Sequence, residues 1–442
     1  MAALLRGESV NSVDFNLYTI DSLSFDFGRI YEVAINNGFD IVVGNPPYVT
    51  SSKIDRKVLN PLRKVDIVVG KSDLYLSFFQ LGKQLLNSNG CLGYIMPNTF
   101  FKSVNGRGMR SFLSENYANL SIADFGAQQI FHGRLTYTCL VFIDNFLVSD
   151  KLSYAKIKAD DIRRSENIDY DVIRYSELDD YNGWNLCTRN VFDNIVRIEN
   201  TGKPLGDIYN IKGGIATLAN DVYIISPVKV DELYYYIEHN GNVLKIEKTI
   251  CRNIINANKP KEASLSNSEK IIYPYVNGKV IDEKGFKLKF PNAYKYLLSK
   301  RNILDAREKG QCKVKVWYEY GRSQAITNFG KKLLIPTIMS KPHFIYSSDE
   351  NALIYNGYAI YHEDENELLF LKKLLESEIF WYYIVYTSKP YANGYYSLAK
   401  NYIKGFGVYL FSDEEKNYLA CNKNRVSLNK YIEEKYGKLL DN

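Results

Sequence analysis

Four consecutive residues, Asn45-Pro46-Pro47-Tyr48, combine types that could do chemistry on a planar amine. Neither proline can continue a strand ladder or a helix, so the pair fixes a rigid turn. A proline has no N–H, which leaves the Asn45 and Pro46 carbonyls available as acceptors. Asn45 adds a side-chain amide with an acceptor and donors, and Tyr48 adds a flat aromatic face. Two acceptors beside a stacking ring suit one task. They can hold the exocyclic amino group of a planar base with its nitrogen lone pair aimed at an electrophile. Positioning and electrostatics would carry that reaction, without a metal, a general base or a covalent nucleophile. Taken alone, the same tetrapeptide also reads as a Pro-Pro turn with an asparagine cap.

Such a turn needs a strand to present it. Phe39–Gly44 (FDIVVG) is a short apolar strand ending at Asn45. Around it the first 145 residues alternate strand and helix patterns. Asp14–Ile20, Cys91–Met96, Leu120–Asp124 and Thr136–Asn145 read as strands. Leu74–Leu86 and Gly106–Glu115 read as helices, the first capped by Ser72 or Asp73. This alternation predicts a parallel, doubly wound α/β sheet, in which ligands bind at the carboxyl ends of the strands.

The rest of the chain bounds the class. With 442 residues, two domains are expected. Hydrophobic residues make up 46% and charged residues 24%, which excludes wholesale disorder. No apolar run reaches the roughly 20 residues of a membrane span. Six cysteines are scattered singly, and four histidines have no metal spacing. That usage fits a reducing cytoplasm, with neither a disulfide framework nor a zinc site. Residues 1–150 hold 13 basic and 13 acidic residues, so the whole net charge of +6 lies beyond them. Of 37 tyrosines, 30 also lie there. A basic, tyrosine-rich second part hints at a polyanion partner, although a Lys- and Tyr-rich genome would give the same bias. Its short strand patterns between Gly, Asn, Asp and Lys turns predict a mixed, β-rich domain. We therefore divide the chain at 1–150, a junction at 151–184, and 185–442.

FDIVVGNPPYV resembles the catalytic motif of the N6-adenine DNA methyltransferases. The continuation is similar to the branch holding the type IIG restriction-modification enzymes and the TaqI-like methyltransferases. Its parts follow in order. They are Asp73-Leu74-Tyr75, the strand Gly90–Met96 running into Pro97, the helix with Arg110, Ala123-Asp124-Phe125-Gly126, and Phe131 before the long strand. The resemblance covers residues 14–145. It implies that Asn45 and the Pro46 carbonyl bind the N6 amino group of a flipped adenine. Tyr48 would stack on that base, with Phe131 on its other side. The methyl donor would be S-adenosylmethionine, contacted by Asp21-Ser22-Leu23 and Pro47, although Asp21 also reads as a turn cap. No metal is implied. In this family a glycine-rich donor loop precedes the Asp21 strand. Only 13 residues precede Asp14 here, and none reads Gly-x-Gly. The expectation is a methyltransferase-type sheet without its donor-binding half, completed by an N-terminal methyltransferase or nuclease chain or interrupted as a gene.

The same resemblance makes residues 185–442 a TaqI-like target-recognition domain for duplex DNA. Gly213 and Gly214 would permit close approach of the backbone to DNA. Lys313, Lys315, Arg322, Lys331, Lys332 and Lys341 would hold phosphates. The implied protein is a prokaryotic, cytoplasmic, nucleoid-associated adenine methylase of a restriction-modification system. The alternative is a catalytically inactive DNA-binding specificity module derived from one.

Overall fold

A computed structural model describes residues 17–30, 37–49, 67, 73–131, 136–163, 168–239, 241–258, 269–391 and 394–439. The chain divides into two compact units, Met1–Cys187 and Thr188–Asn442.

The first unit is built on a six-stranded sheet. Its strands are β1 (Phe39–Gly44), β2 (Leu86–Pro97), β3 (Ala118–Asp124), β4 (Thr138–Val148), β5 (Lys151–Lys156) and β6 (Asp171–Arg174), in the order β1-β2-β4-β3-β5-β6. The α/β class expected from the alternation is present. The sheet is mixed, however, and not wholly parallel. β1 and β2 run parallel, as do β3 and β5, while β4 is antiparallel to both its neighbours. The reason is local. β3 and β4 are joined without a helix between them among the described residues, and a short connection returns the chain in the opposite direction. The segment 151–184, expected as a junction, instead adds β5 and β6 to this sheet and ends on the fully buried Trp184. The strand expected at Asp14–Ile20 falls partly outside the described residues, and Leu17–Ile20 are irregular.

Two helices cover one face of the sheet, α1 (Leu74–Leu85) and α2 (Arg107–Glu115). Tyr75, Leu76 and Phe79 of α1 and Met109 and Leu113 of α2 meet Leu92, Met96, Ile122 and Val141 in one buried cluster. Gly82 lets α1 close on β2, since a Cβ there would sit 2.4 Å from the Tyr94 hydroxyl. Arg110 is fully buried. Its guanidinium donates to the Ser103 and Asp180 carbonyls at 2.9 Å each, fixing α2 to the 179–184 turn. On the other face Ile41 and Val43 are 68% and 73% exposed, and Phe142 beside them is also exposed.

The second unit is a set of small sheets and helices. Two four-stranded sheets hold Cys251–Asn256 with Lys270–Ile272, and Lys332–Pro336 with Gly357–Tyr361. Two consecutive helices, Glu365–Leu375 and Glu378–Thr387, accompany these sheets. The tyrosine excess has a structural use here. Tyr223, Tyr273, Tyr275, Tyr296, Tyr318 and Tyr320 are core residues. The hydroxyls of Tyr273, Tyr318 and Tyr320 donate to the carbonyls of Ile326, Ile281 and Ile272 at 2.6–2.7 Å. A buried phenol needs such a partner, and the strand-end carbonyl of Ile272 and the loop carbonyls of Ile281 and Ile326 supply it.

Candidate active site

β1 lies parallel to β2 with Gly44 opposite Tyr94, so Asn45 follows directly from the carboxyl end of the strand. Asn45 and Pro47 are exposed, Pro46 is buried, and Tyr48 is half-buried against the core. The Tyr48 hydroxyl donates to the Ile95 carbonyl of β2 at 3.0 Å. One residue on, the Val49 carbonyl accepts from the Leu74 N–H at 2.8 Å, at the first turn of α1. The turn is thus pinned to a strand and a helix while the Asn45 amide faces outward. Burial pushes the Tyr48 phenol up to about 12, so it stays a neutral donor at physiological pH.

Phe131 comes to the same corner. Its ring centroid lies 6.5 Å from that of Tyr48, with the planes at 61°. A base held between two parallel rings needs about 7 Å between them, twice an ordinary carbon contact. The two rings therefore meet edge to face and fill the slot between them. His132 and Arg134, which follow, lie outside the described residues.

The chain reaches Phe131 through a buried knot at the end of β3. The Asp124 carboxylate accepts from the Asn98 side chain at 2.8 Å, the Gly126 N–H at 3.0 Å and the Tyr154 hydroxyl at 3.1 Å. Asn98 also donates to the Gly126 carbonyl at 3.1 Å. Burial raises the Asp124 carboxyl above its usual range, opposed by these three donors and by Lys156. Gly126 takes a φ of +57°, which suits glycine at this turn. Sequence reasoning placed Asp124 in a motif but gave it no role. The signal was an acidic residue closing an apolar strand just before a glycine.

The donor residues are less assembled. Asp21 is exposed, and its carboxylate accepts from the Leu23 N–H at 3.2 Å across Ser22, closing its own turn. Ring contacts from Phe25 to Phe27 and from Phe27 to Phe39 tie this segment to the start of β1. Asn45 stands six residues further, about 20 Å along a strand. Among the described residues no hydrogen bond joins Asp21 to the motif. Among them, no group of three or more His, Cys, Asp or Glu could hold a metal ion.

Residues 9–131 match the model of the Eco57I restriction-modification methylase family. The motif, the strand before it and Phe131 all lie within the matched residues. Among curated proteins, the chain is 27% identical over 388 residues to the type II restriction enzyme and methyltransferase RM.Eco57I of Escherichia coli. That match covers 79% of this chain and 38% of the relative. It is 25% identical over 413 residues to the type II methyltransferase M.BanIII of Aneurinibacillus aneurinilyticus, covering 84% and 68%. The fold is similar to that of the type IIL restriction-modification enzyme MmeI, solved in complex with DNA, with a TM-score of 0.58 at 12% identity. That superposition covers 99% of this chain and 59% of MmeI. The chain thus spans well under half of the first relative and about two thirds of the second.

Beyond the matched residues the expected DNA contacts separate into groups. Lys313, Lys315 and Lys341 are exposed. Arg322 is engaged in a two-pronged ion pair with Glu308, and Lys331 lies 3.9 Å from Glu365. Lys332 is a correction. It is fully buried, with its ammonium donating to the Asp349 and Ala352 carbonyls at 2.6 and 2.9 Å. Every residue of the strand Lys332–Pro336 is buried, so Lys332 cannot meet a phosphate. Gly214 is used within the fold, since a Cβ there would sit 2.7 Å from the Ile354 carbonyl. Gly213 ends a strand paired with Tyr358. Sequence reasoning did not see Arg307, whose buried guanidinium donates to the carbonyls of Leu304, Thr217, Glu319 and Trp317. No helix among the described residues is long and apolar enough to cross a membrane.

Proposed function

We propose that the protein methylates the N6 amino group of adenine in duplex DNA, as the modification activity of a restriction-modification system. The observation that carries this is the exposed Asn45 on a turn pinned by Tyr48 and Val49 at the end of β1, with Phe131 beside it. The match to the Eco57I-type methylase domain supports it. A flipped adenine would stack on Tyr48, and Phe131 would swing to its second face. The Asn45 side-chain oxygen and the Pro46 carbonyl would accept the two N6 hydrogens. This turns the nitrogen lone pair toward the donor and stabilises the positive charge that develops there. S-adenosylmethionine supplies the methyl group, and N6 afterwards releases one proton. The donor pocket would be completed by a longer form of the chain or by an N-terminal partner. Residues 188–442 would read the target site.

The test is transfer of labelled methyl groups to duplex DNA by the chain together with the segment or partner that completes the donor pocket. Asn45→Ala is expected to lose about 10²–10³-fold in rate. Tyr48→Ala should fall comparably, and both should bind duplex DNA within about twofold of the parent. Full activity of the Asn45→Ala protein would refute the assignment.

A further inference from the structure

A cavity of about 420 Å³ opens in the second unit, away from the motif and from every residue expected to contact DNA. Arg252 stands in its wall with Tyr273, Tyr275, Phe290 and Phe329, and the Asn277-Gly278 turn borders it. Both turn residues have positive φ, 49° and 72°, as the tight hairpin joining Tyr275–Val276 to Lys279–Val280 requires. That volume is in the range of small-molecule sites.

The Arg252 side chain is unusual in three ways. Its guanidinium carbon lies 5.1 Å from the Tyr273 ring centre and 5.2 Å from that of Phe329, so two aromatic faces hold it. The two rings meet edge to face, 6.3 Å apart at 75°, and form a corner for it. Its Nε is buried and has no hydrogen-bond partner among the described residues. No carboxylate is among the residues lining the cavity. Arg110 and Arg307 show how this fold treats a guanidinium that serves only structure. Each spends its donors on backbone carbonyls. Arg252 does not.

We propose that this cavity binds one nucleotide, with the base against the aromatic wall and the phosphate on Arg252. Rings on several sides suit a flat base, and a planar guanidinium with an uncompensated charge suits a phosphate. A bare anion would leave the aromatic wall unused, and a neutral base would leave the charge unused. The nucleotide could arrive free or as one unit of a DNA strand. The inference does not depend on methyl transfer.

Binding of four probes to the full chain separates these cases. They are the deoxynucleoside 5′-monophosphates, the matching nucleosides, inorganic phosphate, and a 12-nucleotide single strand. Saturable binding of a mononucleotide at one per chain, at least tenfold tighter than its nucleoside or phosphate, is the expected result for a free ligand. Saturable binding of the strand alone identifies the strand as the source. In either case Arg252→Gln and Phe329→Ala should each weaken binding tenfold or more. The circular dichroism and melting temperature of both variants should stay within a few degrees of the parent. If Arg252→Gln unfolds, the Phe329→Ala measurement decides. The proposal is overturned if phosphate binds as well as nucleotides, if neither nucleotide nor strand saturates, or if folded variants bind like the parent. Loss of methyl transfer with this binding intact would refute the proposed reaction and leave the cavity assignment standing.

Discussion

Asn45 in the first unit stands exposed on a turn whose neighbours are tied down, whereas Lys332 in the second, expected on a DNA-facing surface, is sealed beneath Asp349 and Ala352. The difference comes from what sets each side chain's position. Two prolines and the end of a strand fix where Asn45 points, and those determinants are contiguous in sequence. A lysine points where tertiary burial sends it, and a basic string such as Lys331-Lys332 splits because Lys332 opens a fully buried strand while Lys331 precedes it and stays half-exposed. Contiguity, more than residue type, makes a site readable.

This contrast can be tested from its strongest consequence downward. The sealed cations of the second unit should carry stability. Arg307→Ala strands four backbone carbonyls and should cost about 3 kcal/mol, read as a lowered urea midpoint. An unchanged midpoint would mean that water replaces the guanidinium. At the motif, Phe131→Ala should slow methyl transfer about tenfold, the worth of one stacking face, with little change in duplex affinity. If Phe131 only fills space in the free protein, the rate will rise instead.

Lys332 gives a pH signature. Burial lowers its ammonium from 10.5 to about 8. Between those values the unfolded chain holds more protons than the folded one, so this group adds stability as pH rises from 8 toward 10. The urea midpoint should therefore climb less over that range in Lys332→Met than in the parent. Equal slopes would show that the lysine is neutralised some other way. The smallest effect belongs to the exposed cations. Lys341→Ala should weaken duplex binding about two- to threefold and reduce its salt dependence by about one counterion. Lys332→Met should leave both untouched, and a loss there equal to that of Lys341→Ala would erase the distinction.

In the first unit β1 runs over the residues expected, and α1 ends within one residue of its expected bound, because the apolar period specifies both locally. Strand direction was less legible. Whether β4 returns parallel or antiparallel depends on a connection whose length alone does not reveal a helix. The Asp124 knot was visible as letters and not as a role, since Asn98 and Tyr154 are 26 and 30 residues away. In the second unit the tyrosines and Arg307 act through main-chain carbonyls that the fold brings to them, which no periodicity marks. Arg252 was silent for the same reason. Its neighbours Tyr273 and Phe329 meet it only once the strands have paired.

The edge-to-face contact of Tyr48 and Phe131 has a consequence for selectivity. On the proposed reaction a base entering the slot trades one stacked partner for another, so only the difference counts. An aromatic pair is worth about 0.5–1.5 kcal/mol, and a base on a ring about 1–3 kcal/mol. The exchange therefore yields little by itself, and a base that cannot also satisfy Asn45 is displaced by the returning phenyl ring. The resting pair acts as an internal competitor, setting a threshold that a partner must exceed before any chemistry begins.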